Sequence, residues 1–220
     1  MITGDANGDD VLLAGTNITD ALTNTNNSDN KRIFSISGTG SDVTLNQLTI
    51  TGGVADGFGS DDNGGGVRIG SGADVTLANS TISGNEALSG GGVASYGTAT
   101  LANSTISGNQ AISGAGIRNF GTATLINSTI SGNQADFGGG VTNSNTGTAT
   151  LTNAIVLGNS ANTNSEINGT VTSNNSITSG DVTQVFAQTA AGADGSTLAG
   201  VLADNGGPVE TIAILGRACR

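Results

Sequence analysis

The residues best suited to chemistry are a few carboxylates, two arginines and a recurring set of threonines. Asp5-Ala6-Asn7-Gly8-Asp9-Asp10 places oxygen donors at alternate positions, as a calcium-binding loop does. Asp5, Asn7 and Asp9 are its candidate ligands. A full loop of that kind would want Gly where Asp10 stands and a bidentate Glu where Thr16 stands. A solvated acidic turn is therefore the competing reading. Asp56, Asp61 and Asp62 form a second acidic group, and Asp61 and Asp62 could hold the same hard cation. Calcium is the one cofactor these residues imply. Arg68 and Arg118 are candidate anion contacts. Thr98 and Thr100, Thr122 and Thr124, and Thr148 and Thr150 repeat a Thr-x-Thr pair that can present a regular array of hydroxyls and methyls.

The rest of the chain leaves little else to do chemistry with. Of 220 residues, 37 are Gly, none is His or Trp, and one each is Pro, Cys, Met and Tyr. Six Lys and Arg stand against 17 Asp and Glu, a net charge of −11. Six scattered cations make no basic patch, which excludes a nucleic-acid partner. The absence of His excludes His-ligated metals and His catalysis, and Cys219 alone cannot form an intrachain disulfide or a cysteine zinc site. No run of about 18 apolar residues is present to span a membrane. Such a composition would suit a disordered chain, but 35% of residues are hydrophobic and their placement is periodic.

Val43-Thr44-Leu45 to Gly52-Gly53 returns as Val75 to Asn85, Ala99 to Asn109, Ala123 to Asn133 and Ala149 to Asn159. The markers Leu45, Leu77, Leu101, Leu125 and Leu151 are 32, 24, 24 and 26 residues apart. A Gly-rich block precedes each of the last four copies: Gly64-Gly65-Gly66-Val67, Gly90-Gly91-Gly92-Val93, Gly114-Ala115-Gly116-Ile117 and Gly138-Gly139-Gly140-Val141. Inside each unit the apolar period is two, which predicts strands. One unit holds about three short strands separated by tight turns. It cannot bury its apolar side alone, but stacked units can, each strand pairing with its equivalents about 4.8 Å above and below. The expected fold is all-β, a right-handed parallel β-helix of about six coils of roughly 24 residues.

This arrangement predicts ladders. Leu45 to Leu151, Ile50/Ile82/Ile106/Ile130/Val156 and Val67/Val93/Ile117/Val141 line the interior. Asn79/Asn103/Asn127/Asn153 take a left-handed bend and bond from rung to rung, and Gly84-Asn85 with its equivalents marks a second bend. Ser80/Ser104/Ser128 point inward and bond to backbone or to each other. Arg68 and Arg118 lie at outward positions two rungs apart, roughly 10 Å. Glu86 and Asp136 fall in turns. Asp42 and Asp74 interrupt the threonine array at its first rungs, and Thr81/Thr105/Thr129 add a further outward column.

The unit Gly97-Thr98-Ala99-Thr100-Leu101-Ala102-Asn103-Ser104-Thr105-Ile106-Ser107-Gly108-Asn109 resembles the repeats of bacterial right-handed parallel β-helix proteins that are secreted or surface-bound. The resemblance covers about residues 32–159, and Leu202-Ala203-Asp204-Asn205-Gly206-Gly207-Pro208 looks like the segment that closes such helices. It implies a fold and no single activity. Polysaccharide lyases and hydrolases with β-helix folds use outward carboxylates, Arg or Lys and often calcium, so an enzyme acting on an extracellular glycan is one alternative. Flat Thr-x-Thr arrays resemble those of β-solenoid ice-binding proteins, which is a second alternative.

One domain, 1–220, is expected: a cap or first coil over 1–31, a repeat body over 32–160, and a last coil with a covering segment over 161–220. Ile155 and Leu157 replace outward Thr and Ser, so Val182, Val185, Phe186, Leu198, Val201 and Leu202 are expected to cover them. The start, Met1-Ile2-Thr3-Gly4-Asp5, has no basic n-region and no apolar h-region. The extracellular or cell-surface location then implies a piece of a larger secreted polypeptide, with a short intracellular reading frame as the alternative. The leading expectation is a non-enzymatic structural or adhesive module whose partner is a surface glycan, a protein or a second copy of itself.

Overall fold

The computed structural model describes residues 22–23, 32–55, 62–203, 209–212 and 214. It is a parallel β-solenoid. Four coils of near-uniform length run from Val67 to Thr163, and each gives one strand to each of four parallel sheets. An earlier coil, Phe34 to Ala55, precedes the enlarged loop, and a partial coil follows with Ile167–Asn168 and Thr172–Asn174. There are thus fewer complete coils than the six expected and four sheets where three were expected.

Sheet I holds Phe34–Ile36, Val67–Ile69, Val93–Ser95, Ile117–Asn119, Val141–Asn143 and Ile167–Asn168. Sheet II holds Ser41–Asn46, Ala73–Ala78, Thr98–Ala102, Thr122–Ile126, Thr148–Thr152 and Thr172–Asn174. Sheet III holds Leu22–Thr23, Thr49–Thr51, Thr81–Ser83, Thr105–Ser107, Thr129–Ser131 and Ile155–Val156. Sheet IV, the one not anticipated, holds Val54–Ala55, Glu86–Ser89, Gln110–Ser113, Gln134–Phe137 and Ser160–Thr163. Glu86 and Asp136, expected in turns, lie in its strands.

The register follows the sequence repeat. Leu45, Leu77, Leu101, Leu125 and Leu151 stack in line, as do Ile50, Ile82, Ile106, Ile130 and Val156. All are buried in one continuous core with Val67, Val93, Ile117 and Val141. Asn79, Asn103, Asn127 and Asn153 have φ of 50–51°, the left-handed region that Asn tolerates. Their amides pass bonds from rung to rung, at 2.9 Å from Asn79 to Asn46 and 3.4 Å from Asn103 to Asn79. Ser80, Ser104 and Ser128 turn inward and donate to carbonyls, as expected.

A second asparagine ladder lies deeper. Asn85, Asn109, Asn133 and Asn159 are buried, and the Nδ2 of each of the first three donates to the next Oδ1 at 2.8–2.9 Å. Each Nδ2 also donates to a carbonyl of sheet III, at Ile50, Ile82, Ile106 or Ile130. These bonds satisfy polar groups whose isolated burial would cost about 1–3 kcal/mol each. The ladder explains the neighbouring glycines. A Cβ on Gly92 would lie 2.7 Å from the Gly116 carbonyl oxygen and 3.2 Å from Asn109 Nδ2. At the equivalent of Gly140 in the partial coil the chain carries Glu166, and no further ladder asparagine competes for that space. The Glu166 carboxylate fills it and accepts from Asn159 Nδ2 at 2.7 Å and Gly158 N at 2.8 Å.

Burial pushes the Glu166 carboxyl above the usual range, against the opposing bonds from Asn159 and Gly158. A carboxyl raised in this way holds its proton more tightly folded than unfolded. Its contribution to stability is fully present below the ordinary glutamate range and is lost as pH rises through the folded value. Wild type should therefore lose stability relative to Glu166→Gln as pH rises above the ordinary glutamate value of about 4. Paired denaturant melts above that value read the slope, and a flat or opposite slope would contradict the assignment.

Candidate functional site

The outward faces of the four sheets differ in chemistry and in what covers them. Sheet III is covered. The C-terminal segment lays two short antiparallel ribbons over it, Thr189–Ala191 with Leu198–Gly200 and Leu202–Ala203 with Thr211–Ile212. Gly200 N donates to Ser131 Oγ at 3.0 Å, Ala193 N donates to the Gly132 carbonyl at 3.0 Å, and Thr81 Oγ1 donates to the Glu210 carbonyl. A separate apolar cluster of Leu157, Phe186 and Ile212 joins Ile155, Val182, Val185 and Leu202. The expected cover over Ile155 and Leu157 is therefore present. Leu198 and Val201 are the exceptions: neither joins this cluster, and Leu198 is 45% exposed. The cover also buries Thr81 and Thr105, so this column is not part of an open threonine face.

Among the described residues nothing covers sheet II, which carries the longest uniform column of threonines. Thr44, Thr76, Thr100, Thr124, Thr150 and Thr172 stand in register on six successive strands, about 4.8 Å apart. Beside it runs Asp42, Asp74, Thr98, Thr122 and Thr148, with the two carboxylates at one end as expected. Thr122 and Thr148 are exposed, and Thr98, Thr100, Thr124 and Thr150 are half-buried. Thr44, Thr76 and Thr172 belong to the same array. The Val-Thr-Leu spacing of the first two copies would have placed Thr44 and Thr76 there.

Sheet I presents the arginines. Its outward middle column reads Ser35, Arg68, Ala94, Arg118, Thr142 and Asn168. Arg68 and Arg118 are half-buried and two rungs apart, about 10 Å at the strands. Two aromatic rings hold them. Tyr96 and Phe120 stack at 4.7 Å with planes 5° apart. The Arg68 guanidinium lies over Tyr96 at 5.4 Å, and that of Arg118 over Phe120 at 4.5 Å. The ring–ring contact takes one face of each ring, so the guanidiniums take the outer faces. The order is Arg68, Tyr96, Phe120, Arg118. Both Nε atoms are buried without a hydrogen-bond partner. Burial lowers the Arg118 pKa, with Tyr96 opposing, yet a guanidinium remains a cation. The aromatic pair was legible in principle, since Tyr96 and Phe120 are 24 residues apart, each two positions past the outward column.

Sheet IV carries a shallow groove of about 320 Å³ lined by Glu86, Leu88, Gln110, Ile112, Gln134 and Asp136 among others. A Gly-rich corner separates it from the arginine column, so its carboxylates and the two arginines lie in different sheets.

Asp5, Asn7, Asp9 and Asp61 lie outside the described residues, as does Asp56. Asp62 is described and is 8% exposed. Among the described residues no group of three or more His, Cys, Asp or Glu is placed to hold a metal ion. No helix among them is long and apolar enough to cross a membrane.

Because the cluster of Phe186 is separate from the main core, Phe186→Ala should loosen the C-terminal cover by about 3 kcal/mol and leave the coils intact. Limited proteolysis should then cut residues 182–203 faster at an unchanged melting point of the body. Unchanged cleavage there would show that the cover is held by something else.

Comparison with family models, with curated proteins and with solved structures finds no match to this chain.

Proposed function

We propose that the chain is a non-enzymatic adhesive module of a secreted or cell-surface bacterial protein, and that sheet II is the face that meets a surface glycan. The supporting observation is the threonine column from Thr44 to Thr172, in register over six strands and free of the C-terminal cover. A repeating row of hydroxyls and methyls suits a repeating partner, because each rung offers the same donor, acceptor and apolar contact to the next unit. The half-buried threonines lose little side-chain freedom on contact, since β-branched side chains on strands are already restricted. The likeness of the repeat to those of bacterial surface β-helix proteins supports the location and the origin.

Ice binding is the second reading, favoured by the same unbroken column. It now rests on sheet II alone.

Binding to immobilised polysaccharides tests the first reading and thermal hysteresis the second. Thr124→Lys places a long charged side chain in the middle of the array without entering the core. It should weaken glycan retention by about tenfold, close to 1.4 kcal/mol, at an unchanged melting point. Retention of no polysaccharide, or equal retention by the variant, would remove the adhesive reading of sheet II. Thermal hysteresis without glycan retention would favour ice.

A further inference from the structure

We infer that the Arg68–Tyr96–Phe120–Arg118 stack on sheet I is a binding site for an acidic glycan whose carboxylates are spaced by neutral sugars. The inference rests on the glycan-binding reading and adds a second face and a charge requirement to it. Three observations carry it. First, among the described residues neither guanidinium has a carboxylate partner, in a chain where 17 Asp and Glu stand against six Lys and Arg. The outward column of sheet I carries no carboxylate on any of its six strands. Second, the two cations are held before any ligand arrives. Each lies against a ring and has Nε buried, which leaves the Nη edge to meet an anion with little ordering cost. Third, the ring pair sets the two cations apart. The guanidiniums lie 5.4 Å from the Tyr96 ring and 4.5 Å from the Phe120 ring, at opposite ends of a pair whose centroids are 4.7 Å apart, so they stand farther apart than the two rungs between their strands. A glycan lying along the stack axis with its charges spaced by neutral sugars then meets Arg68 and Arg118 in turn. The neutral sugars between them pass over the edges of Tyr96 and Phe120, and no described residue hydrogen-bonds the Tyr96 hydroxyl.

A peptide is the weaker candidate. The strands of sheet I that hold Arg68 and Arg118 are paired on both sides, so no free strand edge is available beside the arginines for a peptide backbone. Dense polyanions are repelled by the net charge, whereas a sparsely charged chain meets only the local cations.

Isothermal titration of the full chain with a hyaluronan oligosaccharide, which carries its carboxylate on alternate sugars, tests the site. The controls are the same oligosaccharide with its carboxyls converted to amides, and an oligogalacturonate charged on every sugar. Native hyaluronan should bind at least about tenfold more tightly than its amide. Arg68→Gln and Arg118→Gln should each lose about tenfold toward native hyaluronan and nothing toward the amide, and Arg118→Lys should lose less than Arg118→Gln. Equal binding of the native and amide forms overturns the site without any variant, even if neutral glycans still bind through sheet II. Equal or tighter binding of oligogalacturonate overturns the requirement for spaced charges. Arg-dependent hyaluronan binding that persists in Thr124→Lys sustains the site and removes only the role of sheet II.

Discussion

Every side chain in the stack must tolerate its own equivalent about 4.8 Å away on the next rung. That single constraint accounts for most of the composition. A column of like charges is costly at that spacing, so charged residues are scarce and sit where water screens them. Asp42 and Asp74 face each other across one rung, and both are exposed. Apolar side chains meet the constraint by simple contact, as in the leucine and isoleucine columns. Asn is the polar residue that meets it best when buried, because one amide group both donates and accepts along the same line. Glycine meets it where two backbones or a ladder amide come too close for a Cβ, as at Gly92.

The same constraint made much of the fold legible. A strict 24-residue repeat means that whatever one unit does, its neighbours do, so the leucine, isoleucine, serine and bend-forming asparagine columns could be read from spacing alone. Sheet IV escaped because Gln110-Ala111-Ile112-Ser113 and its equivalents show little apolar alternation: their outward residues include Leu88 and Ile112, and their inward ones are alanines. The deeper ladder escaped for a related reason. Gly-Asn reads as a turn, and only the path of the chain shows that Asn85 and its equivalents point inward from it. The arginines were placed correctly on an outward column, but ring stacking depends on side-chain direction, which spacing does not give. For calcium, Asp62 alone of the five proposed ligands falls within the described structure.

The C-terminal segment decides which surfaces remain for recognition. By covering sheet III it removes one threonine column from solvent and leaves the column of sheet II. Its apolar contacts are made where the repeat deviates, at Ile155 and Leu157. Local departures from an otherwise uniform repeat therefore mark the places where something other than the next coil is in contact. Glu166 is another such departure, at the end of the ladder, and Arg68 and Arg118 are departures within a column whose intervening member is Ala94.

The deeper ladder also has a direction. Every amide donates toward the C-terminal coil, and the chain of donors ends on a side chain that can only accept when ionised. A further unit of 24 residues inserted between two existing coils would find asparagine above and below and join the ladder without adjustment. The same unit added after Asn159 would accept from Asn159 through its own asparagine and pass that asparagine's amide on to Glu166. A unit lacking the asparagine would instead leave the amide before it without an acceptor. Growth of this molecule by duplication is therefore tolerated along the stack as long as each copy keeps its asparagine and Glu166 stays at the end of the ladder.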